Sequence, residues 1–179
     1  MFLMQEFFII LTSNLLFSKV LGTDILMFAK KSKRSLNVLS LYVAVFSIIC
    51  SVITAFTDNI FADYLIPLVD IIIVLVLYFL GLGLSKIFGR KAFENYKKYM
   101  HFAAMNTAVF GLLFMNKETV GISSHAAFAL ETSIGFFLGA WMLSTVYDYL
   151  AGKNIPKCFR GYPAMILYIG IVSMALYSL

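Results

Sequence analysis

Charge is scarce in this sequence: 13% of its 179 residues are Asp, Glu, Lys or Arg, against 61% that are hydrophobic. A soluble domain carries about 25% charged and about 45–50% apolar residues. One soluble core cannot hide this much apolar surface, and a bilayer is the solvent that accepts it. Cysteine is scarce too. Cys50 and Cys158 stand far apart and in no CxxC pattern, which excludes a disulfide framework and a cysteine-based metal motif. Both read as small hydrophobes. His101 and His125 are the two histidines and form no metal pair in sequence. No GxSxG, HExxH, P-loop or strand–helix GxGxxG occurs, so no nucleophile–base or nucleotide constellation is in view.

What is present is a series of apolar runs, approximately residues 2–21, 36–57, 64–85, 99–116, 126–146 and 161–179. Each is near the 20 residues a helix needs to cross a bilayer, and none alternates polar with apolar as a barrel strand does. Lipid offers the backbone no hydrogen-bond partners, so such runs are helices. The expectation is an all-α integral membrane protein with six transmembrane helices in a single domain over 1–179. The stretch Phe2–Leu21 contains Glu6 and no basic leader, and reads as a first span rather than a removable signal peptide.

The connectors set the expected orientation. Loop one, Ala29 to Ser35, reads AKKSKRS; loop three, Lys86 to Lys98, holds Lys86, Arg90, Lys91, Lys97 and Lys98; loop five carries Lys153, Lys157 and Arg160. Loops two and four contain Asp58, Asp63 and, as their one cation, Lys117. The positive-inside rule puts the odd loops in the cytoplasm and both termini on the outer face of a bacterial-type inner membrane. The net charge of +5 then reflects topology and lipid headgroups, and no nucleic-acid partner is expected. Spans one to three and four to six share a layout: a polar helix, a long apolar helix and another. Three spans is an odd number, so the halves form an inverted 3+3 repeat, which places functional sites near the midplane.

Three segments carry a resemblance. They are SNLLFSKVLGTD, Ser13 to Asp24; NTAVFGLLFMN, Asn106 to Asn116; and IPKCFRG, Ile155 to Gly161. In order and spacing the chain resembles the Rnf/Nqr family of membrane subunits, closest to the RnfA/NqrE branch. Asn14, Lys19, Leu21-Gly22, Asn106, Ala108-Val109, Gly111, Asn116, Gly135-Phe136, Pro156 and Phe159-Arg160-Gly161 all fall in step. The resemblance implies six helices in inverted halves with helices 1 and 4 interrupted. It implies pairing with a second six-helix subunit in an ion-translocating electron transport complex. In that family each subunit gives two cysteines to an iron–sulfur cluster at the midplane. Here Asp24 and Thr107 stand at those positions. Neither replaces a thiolate, so no cluster or other cofactor is expected. The expected role is a non-catalytic subunit beside a partner or a second copy of itself.

The alternative is a small secondary transporter or channel that reuses the fold. Asn14 and Asn106 are candidate helix breakers, since a buried amide satisfies backbone freed at a break. Gly22 and Gly111 permit a break or close helix contact. Asp24 and Thr107 face each other across the pseudo-twofold axis in this reading, offering oxygen ligands to Na⁺. Asp70 and Glu131 are intramembrane carboxylates that mark an ion or proton path, or else reach the interface. Lys19 matches a family position near the former cluster. Arg160 is read as a structural anchor of the last helix.

Overall fold

The computed structural model describes residues 14–25, 33–57, 60, 64–87, 90–116 and 121–177. Among them the chain is all-helical. The helices are α1 (Leu15–Ser18), α2 (Lys33–Thr57), α3 (Ile66–Ile87), α4 (Arg90–Ala104), α5 (Thr107–Asn116), α6 (Ile122–Leu150) and α7 (Tyr162–Tyr177), with a 3₁₀ turn at Thr23–Ile25. Three of them, α2 from Ser35, α3 and α6, are long and apolar enough to cross a membrane. At 16 residues, α7 is about 24 Å long.

Small and polar side chains share the interior with an apolar core, while many large apolar side chains face outward. On α2 the hydroxyls of Ser40, Ser47, Ser51 and Thr54 are buried while Leu41, Val45, Ile49 and Phe56 are exposed. On α6, Ala129, Thr132, Ser133, Gly135, Gly139, Ala140 and Ser144 are buried while Leu130, Ile134 and Trp141 point outward. Small residues let two helices approach closely when lipid, not water, covers the outer faces. α2 and α6 form the most extensive helix pair. Two of these hydroxyls bond within their own helix: Ser40 Oγ donates to the Asn37 carbonyl at 2.9 Å and Ser47 Oγ to the Val43 carbonyl at 2.8 Å. They are thereby satisfied without a partner from another helix.

Two expected boundaries change. The connector read as a loop over Lys86–Lys98 is mostly helix α4, and the fourth span does not run unbroken from Tyr99 to Asn116. The sequence RKAFENYKKYMHFAA is amphipathic. Met100, Ala103 and Ala104 are buried, Tyr96 and Tyr99 are half-buried, and Lys97 and Lys98 are exposed. Phe93, Tyr96, Met100 and Ala103 recur at helical spacing, which outweighs the high charge of the segment. Tyr42 of α2 meets Tyr96 edge-on and stacks on Tyr99, with ring centres 5.9 and 5.7 Å apart. The other correction is at the first span, which stops as a helix at Ser18 and turns before Leu21. Residues 2–13 with Glu6, and Lys30, Lys31, Asp58, Asp63 and Lys117, lie outside the described residues.

Candidate functional site

The two asparagines end up in matching roles. Asn14 is the N-cap of α1: its Oδ1 accepts from the Leu16 N–H at 2.9 Å. Asn106 sits between α4 and α5, and its Oδ1 accepts from the Ala108 N–H at 2.8 Å. Each side chain therefore satisfies the N–H two residues on, one of the donors a new helix leaves without a partner. Both are fully buried, where an unpaired N–H is costly. Asn14 also ties its short helix to α6, donating through Nδ2 to the Gly135 carbonyl at 2.5 Å.

The two capping asparagines lie at one level. Asn116 Nδ2 donates to Ser51 Oγ, and Ser51 Oγ donates to the His125 carbonyl at 3.4 Å, so Asn116, Ser51 and His125 mark one layer across α5, α2 and α6. Asn106 is ten residues from Asn116, and Gly135, which holds Asn14, is ten residues from His125. Ten helical residues rise about 15 Å. Along α6, thirteen residues precede Gly135 and fifteen follow it, so this level is midway along the longest helix.

Glycine makes the joint possible. Gly139 lies one turn beyond Gly135, and a Cβ there would sit 2.8 Å from Asn14 Nδ2 and 3.1 Å from Phe17 Cε2. The Gly135-Phe-Phe-Leu-Gly139 spacing is a small-xxx-small contact face. It is legible in the sequence, although only Gly135 stands out by resemblance. After α1 the chain turns through Val20, at φ 59, and Gly22, at φ 82. A Cβ on Gly22 would collide with the Phe136 ring and lie 2.9 Å from the Ala108 methyl. A Cβ on Gly111 would strike Leu21. The Leu21–Gly22 turn is thus pressed against the first turns of α5.

That turn brings Asp24 to Thr107. Thr107 Oγ1 accepts from the Gly22 N–H at 2.8 Å and donates to Asp24 Oδ1 at 3.3 Å. The backbone N–H groups of Thr107 and Ile25 also interact with the carboxylate. Asp24 therefore lies at the N-terminal end of α5, where the helix dipole favours negative charge. A carboxylate, a hydroxyl and a helix end meet midway along the long helices, linking the two halves of the chain.

The other candidates lie apart. Lys19 is exposed and forms the C-cap of α1. Asp70 is buried on α3 at 2% exposure, so it does not reach outward to solvent. Glu131 is half-buried on α6. His101 is exposed with its Nδ1 3.1 Å from the Tyr78 hydroxyl, and His125 is buried. Arg160 donates through Nη2 to the carbonyls of Lys153 at 3.1 Å and Ile155 at 3.2 Å, holding the turn before α7 together. Among the described residues no group of three or more His, Cys, Asp or Glu side chains is placed to hold a metal. No protein-family model matches the chain, and no curated protein matches it.

Proposed function

We propose that this chain is a membrane subunit of the Rnf/Nqr type, related to the RnfA/NqrE component of ion-translocating electron transport complexes, in which a polar joint replaces the iron–sulfur cluster. The observation that carries this reading is the Asp24–Thr107 contact between the turn after α1 and the start of α5. These are the two positions at which the resemblance expects cysteines. The equivalent asparagine caps at one depth support an inverted 3+3 repeat of six spans, each half contributing one break. Asp24 and Thr107 offer only oxygen, which suits neither iron nor sulfide. The subunit then serves as a scaffold or ion-path half beside a second six-helix subunit or another copy of itself. The cationic connectors orient it with both termini on the outer face of a bacterial-type inner membrane.

Affinity purification in mild detergent tests this. The expected result is a second multi-span membrane protein, or a homodimer, with no iron and no visible absorbance in the isolated chain. A solitary monomer, or a chain that carries iron by itself, overturns the reading.

The burial of Asp70 favours a second reading, a small secondary transporter or channel for Na⁺ or H⁺ along Asp24, Asp70 and Glu131. A carboxylate withdrawn from water inside a span marks an ion or proton path. Uptake into proteoliposomes that is abolished by Asp24→Asn, Asp70→Asn or Glu131→Gln supports it. Uptake unaffected by all three refutes it.

A further inference from the structure

Two cations converge on one aromatic ring at the end of α3. Lys86 Nζ lies 5.6 Å from the centre of the Phe93 ring and Lys97 Nζ 5.9 Å from it. Lys86 is the last basic residue of α3, and Lys97 projects from α4, which packs along α3. Both ammonium groups belong to exposed side chains, and among the described residues no carboxylate pairs with either. Like charges held near each other repel unless an anion lies close by.

A shallow, open apolar groove on the surface of α3 lies next to Lys86. Val76, Phe79, Leu80, Gly83, Leu84 and Ile87 line it, all from this one helix. Lys86 follows Gly83 by three residues and Phe79 by seven, so it borders the groove at the helix end. Gly83 opens the groove floor: a Cβ there meets no heavy atom within 4 Å. The groove thus has a cationic mouth at the end of a span and an apolar trough running toward the span's middle.

We propose that Lys86, Lys97 and Phe93, with this groove, form a seat for one anionic phospholipid. The headgroup phosphate is held by the two ammonium groups and an acyl chain lies along the groove. Basic pockets between helices at the cytoplasmic side select anionic headgroups in this way. The inference rests on the membrane reading but on neither the family nor the ion path.

The full chain in neutral detergent would be titrated with dioleoyl phosphatidylglycerol and, separately, dioleoyl phosphatidylcholine, with bound lipid counted by native mass spectrometry. Each lysine near an anionic surface is worth about a five-fold change in binding, so phosphatidylglycerol is expected to bind about 25-fold more tightly than phosphatidylcholine. K86Q and K97Q are each expected to remove about five-fold of that preference. The K153Q/K157Q pair, which removes equal charge elsewhere, is expected to keep it. Gly83→Phe, placed where there is open space, should weaken phosphatidylglycerol binding while the chain stays folded. Equal binding of the two lipids, unchanged binding in K86Q/K97Q, or displacement by inorganic phosphate alone would overturn the proposal. So would a dimer that Gly83→Phe dissociates, which would assign the groove to a second copy. A chain that dissolves without detergent would instead refute the membrane reading itself.

Discussion

Replacing Asn14 by alanine removes two bonds that do different work. The cap to the Leu16 N–H, 2.9 Å long, lies at a fully buried helix start. Its loss leaves a donor unpaired at a cost of about 1–3 kcal/mol. The bond from Nδ2 to the Gly135 carbonyl crosses between α1 and α6, and interhelical bonds of this kind average about 0.6 kcal/mol in membranes. The expected loss for Asn14→Ala is therefore about 2–4 kcal/mol. Asn14→Ser separates the terms. Serine is a good N-cap but is too short to reach Gly135, so most of the stability should return, leaving a deficit of about 1 kcal/mol. Equilibrium unfolding of the purified chain in mixed micelles reads all three proteins. An alanine variant within about 0.5 kcal/mol of the parent, well below the cost of an unpaired buried donor, would refute the capping role. Equal stability of the alanine and serine variants would refute it as well.

Other substitutions probe the rest of the joint. Gly139→Ala should lose about 1–3 kcal/mol in the same assay, because the new methyl meets Asn14 Nδ2 at 2.8 Å. Gly83→Ala, with open space around it in a helix of the same apolar character, should be neutral or gain up to about 1 kcal/mol. Gly22→Ala combines a φ of 82 with a collision at Phe136, so it should cost at least about 1–2 kcal/mol and lower the yield of folded protein by size-exclusion chromatography. Thr107→Val keeps the side-chain shape but leaves the Gly22 N–H and the Asp24 carboxylate without the hydroxyl, and should lose about 1–3 kcal/mol, with Thr107→Ser restoring most of it.

The helical class is legible because the apolar runs are long and their interruptions are charged. Three of those runs are helices of spanning length. α4 was harder to see. Its lysines and glutamate suggest a solvated connector, and only the helical recurrence of Phe93, Tyr96, Met100 and Ala103 shows that one side packs on α2 and α3. The pairing of Asp24 with Thr107 joins residues 83 positions apart. Nothing in local propensity specifies it, and the resemblance alone pointed there. The Asn14 bond to Gly135, across 121 positions, has no sequence signal of its own beyond the glycine spacing at 135 and 139. The Ser51, Asn116 and His125 layer was equally hidden, since each residue by itself reads as an isolated polar side chain in an apolar run.

Paired cysteines test most directly whether the turn after α1 and the start of α5 bring Asp24 and Thr107 together midway along α6. In a C50A/C158S background, D24C/T107C would be oxidised in native membranes, with a short bifunctional thiosulfonate as a second reagent. The parent contact of 3.3 Å between the side chains predicts an internal cross-link that shifts mobility on a non-reducing gel, reverses with reductant and is missing from either single variant. A folded double variant whose two thiols react independently and never cross-link would contradict the account.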